Sequence, residues 1–396
     1  MAPAPVLPFM TEPAYARRAG LPQQVLYGAE WVEGGAPPVF PPSEPGFYDL
    51  SPLRYEFPPV TLTTLTDVVV QGRTNILTTR DAILRHELVN PRTEMTTAEF
   101  YKRLFPDRDH LSASWARTDP FNVDYLPEAA VFTDWTAFNY AHWITEVLPR
   151  IAAFAAHADI RSVPLLIDTE LHPNIMRSIE LVAGPDLKLH ELVVDHRVRV
   201  GVLHNVSPTG YVPFTLRDKA GEGFTHGLFG GQALREMIDR LRRHVPAAGS
   251  DAARPKLFIR RNSSARRLVN EREIEALLVG RGFTVLEPER LNVEEQVAAF
   301  SNAAMVVGAT GAALANIIFC RPDCPTVVIM PKFRETAYWY WRRMAAAAGA
   351  GAVLHVSGDQ IDPMDDPHHP LAVHQDFRVE PKDILDAIEA AEDVRR

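Results

Sequence analysis

The sequence predicts an α/β protein of two domains. Three observations carry that reading: the chain length, an alternation of short apolar strands with amphipathic helices, and a glycine-rich turn after one of those strands. With 396 residues, 46% of them hydrophobic, the chain can form two cores, because a single core stops growing at roughly 250 to 300 residues. The alternation is most regular in the second half. A helix over Gly231–His244 precedes a strand at Leu257–Ile259, a helix opening at Asn270, a strand at Thr284–Leu286 and a helix opening at Asn292. Strand Met305–Val307, the turn, strand Thr326–Met330, helix Thr336–Ala348 and strand Ala352–Val356 follow. Strands and helices at this spacing specify a parallel, Rossmann-like sheet. Asn270 and Asn292 each carry a glutamate three residues on, Glu273 and Glu295, the pattern of a capped helix start.

The first half is also α/β. Pro-Pro pairs at 37–38, 41–42 and 58–59 mark residues 1–60 as an extended arm wrapped on the surface. From Val60 to Thr79, β-branched and polar residues alternate as in paired strands, and a short helix is expected at Thr97–Leu104. Trp143, Val147, Ile151 and Phe154 recur three or four apart and predict one helix over Asn139–Ala158 with an apolar stripe. Buried strands at Pro164–Ile167 and Lys188–Val194 flank a helix at Asn174–Val182. Pro208, Gly210, Pro213, Gly221 and Gly223 place a linker within 207–224. The expected domains are therefore 61–206 and 225–380. Helix Asp383–Val394, within a closing segment 381–396, is expected to pack back across their interface.

The net charge of -9 argues against a nucleic-acid binder, which needs a basic face. Cys320 and Cys324 lack the second pair, or the nearby histidines, of a zinc site and read as thiols of a reducing compartment. Met1–Pro13 has no basic stretch ahead of an apolar core, as a secretory leader requires. The uncharged run Ala303–Cys320 approaches the length of a membrane span, but Gly308, Thr310, Gly311 and Asn316 divide it into strand, turn and helix. The expectation is a cytoplasmic protein without a transmembrane segment, which leaves room for a peripheral place at the inner face of the membrane.

Three motifs carry chemistry. Arg260, Arg261, Arg266 and Arg267 lie in one loop after a strand, where guanidinium groups suit the paired oxygens of a diphosphate; a solvated charge run is the plainer reading. Gly308-Ala309-Thr310-Gly311-Ala312-Ala313 follows another strand and opens a helix, whose N–H groups attract an anion. It is a poor dinucleotide fingerprint, because at least two strand–helix units precede it and Met330 stands where an acidic residue should follow. Third, His142 and Glu146 are four apart and share a helix face. A carboxylate beside a histidine suits general-base work on a hydroxyl, and it equally suits a buried pair that fixes the helix. Asp365, Asp366, His368 and His369 have the composition of metal ligands, but Pro363, Pro367 and Pro370 make this a loop of turns, and no metal is expected there.

These motifs, in this order, resemble the glycosyltransferase family 61 domain over roughly Val131–Val356. The pieces are the Asn139–Arg150 segment (N-Y-x-H-W-x-x-E-x-L-P-R), the Arg260–Glu271 loop, strand 283–288, helix 295–303 and the 308–319 turn. The resemblance implies a GT-B architecture, two Rossmann-like domains facing across a cleft, and inverting, metal-independent transfer from a nucleotide sugar, UDP-linked, to a glycan or lipid-linked glycan. On the donor side it implies Arg260, Arg261 and Arg266 near the diphosphate, Leu286 and Glu287 beside the base, and Thr310, Gly311, Ala312, Ala313 and Asn316 facing the phosphates. On the acceptor side it implies Asn139, Trp143 as a platform, and Glu146 as the base with His142 as its rival. No further cofactor is implied, and the oligomeric state is left open. Two positions depart from the family pattern: Thr310 stands where histidine is usual and Ile329 where glutamate is usual. A catalytically silent sugar-nucleotide or glycan binder is thus the alternative, with a dehydrogenase behind it.

Overall fold

The computed structural model describes residues 6–36, 38–42, 52–89, 104–115, 123–194, 196–212, 227–246, 254–263, 265–332, 338–362 and 374–395. Nearly all of the helix expected at Thr97–Leu104, much of the expected linker, and Asp365, Asp366, His368 and His369 lie outside the described residues. The chain forms two compact units, Met1–Ala29 with Pro58–Ala220 and Glu30–Phe57 with Gly221–Arg396. The first sixty residues are thus not a separate arm. Strand Val6–Thr11, helix Glu12–Ala19 and strand Gln23–Tyr27 belong to the first unit, and strands Glu30–Gly34, Val39–Phe40 and Leu53–Phe57 to the second. The proline pairs break the strands apart without keeping them from pairing: Glu30–Gly34 runs antiparallel to Leu53–Phe57.

In the first unit, strands β1 (Asp124–Val131), β2 (Leu165–Asp168), β3 (Leu189–Leu192) and β4 (Arg197–Val206) are parallel and lie in the order β3-β2-β1-β4. The long strand Val60–Gln71 runs antiparallel to β4 and carries the sheet on into a mixed, mostly antiparallel half, in which Val6–Thr11 pairs in parallel with Ile83–Arg85. Helix α1 (Leu148–His157) lies against α2 (Pro173–Ala183). The predicted single helix over Asn139–Ala158 is in fact three pieces: α-helical Tyr140–His142, a π-turn at Trp143–Val147, and α1. Pro149 supplies the reason. It has no N–H for the carbonyl four residues back, so the ladder widens, and the Leu148 N–H reaches the Trp143 carbonyl instead. Trp143, Val147, Ile151 and Phe154 nevertheless form the predicted buried stripe.

In the second unit, β5 (Lys256–Ile259), β6 (Phe283–Leu286), β7 (Met305–Ala309), β8 (Thr326–Pro331) and β9 (Val353–Gln360) are all parallel. Their order is β6-β5-β7-β8-β9, so the winding reverses between β5 and β7. β7 and β8 are buried along their whole length, as the central strands of a parallel sheet covered on both faces must be. Around them lie α3 (Gly231–Arg242), α4 (Glu271–Val279), α5 (Val293–Ser301), α6 (Tyr338–Ala348) and α7 (Pro381–Arg395). The cap expected at Asn292 forms in full, with Asn292 and Glu295 each bonding the other's backbone N–H. Asn270 does not cap α4; its amide bonds Glu273 and the backbone of Val379. α7 places Ile384, Ala387, Ile388 and Ala391 in the core of its own unit, beside Val307, Val327 and Val356. Among the described residues no helix is long and apolar enough to cross a membrane.

Candidate active site

In the first unit, polar residues gather where β1 and β2 end. Asp168, the last residue of β2, is buried; its carboxylate accepts the N–H of Arg73 at 2.6 Å and that of Asp134 at 2.9 Å. Burial pushes Asp168 up to about 7, against those two hydrogen bonds. Asp134 accepts from Asn75, at 3.0 Å, and from both the N–H and the hydroxyl of Thr136. Asn139 caps the following helix through the Ala141 N–H, a local structural duty. One turn later His142 Nδ1 lies 2.7 Å from Glu146 Oε1. Glu146 Oε2 takes only a long bond, 3.3 Å, from the Val212 N–H.

The two partners differ in access. The His142 side chain is 19% exposed and that of Glu146 8%, and His142 Nε2 has no hydrogen-bond partner among the described residues. Burial opposes a charge on His142, but the Glu146 carboxylate, with Asp134 behind it, outweighs that and holds the imidazole above its ordinary value. Burial also pushes Glu146 up, against the pull of His142. In the neutral ring, the tautomer that donates Nδ1–H to the carboxylate keeps its lone pair on Nε2.

Trp143 is no acceptor platform. It is fully buried, and its indole N–H bonds Ser178 Oγ at 2.9 Å. Beside a polar face of the same segment, the aromatic serves the core. Trp143→Ala is expected to cost about 3 to 5 kcal/mol of stability, the usual range for a large aromatic deleted from a core, measured by denaturant unfolding. A loss below 1 kcal/mol would contradict this account.

In the second unit, the basic loop leaves β5 and the glycine turn leaves β7, so the two lie on either side of the point where the winding reverses. Doubly wound sheets bind ligands at this place. The loops are joined directly, because Arg261 Nη1 bonds the Thr310 carbonyl at 2.5 Å and the Arg266 carbonyl at 3.0 Å. A Cβ on Gly311 would come within 3.1 Å of the Arg261 guanidinium. Arg266 sits in the left-handed region, φ 56°, and its Nε is buried without a partner among the described residues. Burial, then the charge of Arg261, bring Arg266 down to about 10.

On the donor side the expected residues differ in their surroundings. Arg260 is engaged by two carboxylates, Glu275 at 2.8 and 2.5 Å and Glu287 at 2.7 Å, and its side chain is 37% exposed. Glu287 is taken up by the same network, with Arg290 as a second partner. Asn316 does not face the turn; it is fully buried and bonds Gln296 and the Ala313 carbonyl. The helix after Gly311 is a 3-10 helix, Ala312–Phe319, with Ala312 exposed and Ala313 half-buried at its start. Leu286 is half-buried at the end of β6. Missed altogether were Glu271, which accepts the Arg261 N–H at 3.0 Å, and Trp341, whose indole N–H bonds Thr310 Oγ1 at 3.2 Å. The aromatic run Tyr338-Trp339-Tyr340-Trp341 was the available signal for the second.

Residues 140–329 match the family Glycosyltransferase 61. The match begins in the segment that bears His142 and Glu146 and ends in β8, so it takes in that pair, the basic loop and the glycine turn. This segment belongs to glycosyltransferase family 61. No curated protein matches the chain. Family 61 membership implies a transferase that acts on a sugar donor and an acceptor. Within this glycosyltransferase domain both departures from the family pattern are packing residues. Thr310 is buried as the acceptor for Trp341, and Ile329 belongs to the apolar core beneath the turn.

Proposed function

We propose that the protein is an inverting glycosyltransferase of GT-B architecture that moves a sugar from a UDP-linked donor to a hydroxyl of a glycan or lipid-linked glycan, with no metal ion. The observation that carries this reading is the pair Arg261 and Arg266 beside the Thr310–Gly311 turn at the reversal point of the second unit's sheet. Two guanidinium groups crowded together, one with a bare buried N–H, are relieved by an anion with several oxygens. The acceptor oxygen bonds to the anomeric carbon as the carbon–oxygen bond to the diphosphate breaks, and one displacement inverts that carbon. The acceptor proton goes to His142 Nε2. The departing electron pair stays on the diphosphate, beside Arg261, Arg266 and the N–H groups of Ala312 and Ala313.

Glu146 then acts through His142, holding Nδ1–H toward itself, and the imidazole meets the hydroxyl. This reverses the expected order of the two residues, because the carboxylate is the more buried partner. The two cations take the place of a metal in neutralising the leaving group. Release of nucleoside diphosphate from a panel of nucleotide sugars should therefore persist in EDTA. Complete loss in EDTA, restored by magnesium or manganese, would overturn the metal-free step. No release from any donor would point to the silent binder instead.

A further inference from the structure

A polar cavity of about 30 Å³ lies within the first unit, and Glu146 forms part of its wall together with Glu12, His86, Arg150 and Asn205. Glu12 is the first residue of helix Glu12–Ala19 and is buried. Its Oε2 accepts from Asn205 Nδ2, while Oε1 is buried with no partner among the described residues. His86 Nδ1 is likewise buried and bare. Bare polar atoms in a dry protein interior are costly, and a polar void of this size has room for about two waters. Glu146 lines the same cavity, and its Oε2, with one long bond from the Val212 N–H, has acceptor capacity to spare.

We propose that Glu12 is a positioning residue for the His142–Glu146 pair: in its protonated form it donates, through cavity water, to Glu146 and steadies that carboxylate as the acceptor of His142 Nδ1–H. The inference rests on the glycosyltransferase reading for its catalytic meaning, but not for its geometry. Around Glu12 and its cavity the charged and titratable groups are Arg150, Glu87, Arg85, His86, Asp134, Glu146 and Tyr211, with Thr63 and Asn205 as hydrogen-bond partners. Burial raises the Glu12 carboxyl above its ordinary value, against Thr63, Asn205 and Arg150. Burial also keeps His86 neutral, at about 3. When Glu12 ionises it stops donating and adds a negative charge to the cavity. Glu146 is then less well held, and His142 binds its proton more tightly.

The test is histidine NMR on the full chain, titrating the His142 imidazole in the unmodified protein and in Glu12→Gln, a neutral donor of the same shape. Two inflections are expected in the former and one in the latter. Transfer should also decline at high pH in the unmodified protein and lose that decline in Glu12→Gln, whereas a purely structural role would lower the rate without changing the profile. Identical His142 titrations would overturn the proposal. So would a high-resolution structure of the unmodified protein with no water linking Glu12 Oε1 to Glu146, which decides the matter even if the variant fails to fold. Should the unmodified protein transfer no sugar, the functional reading falls alone, because the titration and the waters are read without turnover.

Discussion

Replacing His142 by alanine is expected to lower transfer by roughly 10²- to 10⁴-fold, the usual worth of a positioned general base, while donor affinity stays nearly unchanged. The residue has the free Nε2 and the partner at 2.7 Å that the task requires. Glu146→Gln should fall short in the same way but not add to the first deficit, because the two act as a unit. The pH–rate profile gives the sharper result. A base works only when deprotonated, and His142 is held above its ordinary value. The acidic limb of the unmodified protein should therefore lie above about 6.5, the usual histidine value. Glu146→Gln removes the charge that raised it and leaves burial, which lowers it, so the limb should move to lower pH. Near-normal transfer by His142→Ala, or an unmoved limb in Glu146→Gln, would sink the assignment.

Arg266→Ala should weaken nucleoside diphosphate binding by about 1.5 to 3 kcal/mol, the range for a hydrogen bond to a charged group. Arg260→Ala should leave the affinity within experimental error. The two arginines sit in one loop, and sequence pattern gives no ground for separating them. Their surroundings do: Arg260 is held by Glu275 and Glu287, whereas Arg266 is crowded by Arg261 and keeps a bare Nε. Calorimetry on the folded variants reads the difference. Equal losses, or a larger loss in Arg260→Ala, would show that the ion pairs open to admit the ligand and that the assignment is wrong.

What the sequence determined by itself was whatever depends on near neighbours in the chain. Apolar periodicity located β5 to β9 and their helices within a few residues, the Asn292–Glu295 spacing produced a complete cap, and a four-residue interval brought His142 to Glu146. Each of these needs only the backbone geometry of one strand or one turn. Even there, Pro149 changed the local ladder to a π-turn that the stripe of apolar residues did not reveal. Tertiary structure decided the rest. It assigned residues 30–57 to the second unit, placed the basic loop and the glycine turn on either side of the same reversal point, and buried Trp143 and Asn316. It also sorted the arginines, because the carboxylates that occupy Arg260 lie fifteen and twenty-seven residues further along the chain. A guanidinium takes whichever acceptor the folded sheet brings within about 3 Å. That distance is a property of how strands are ordered, and no local pattern of residue types encodes it.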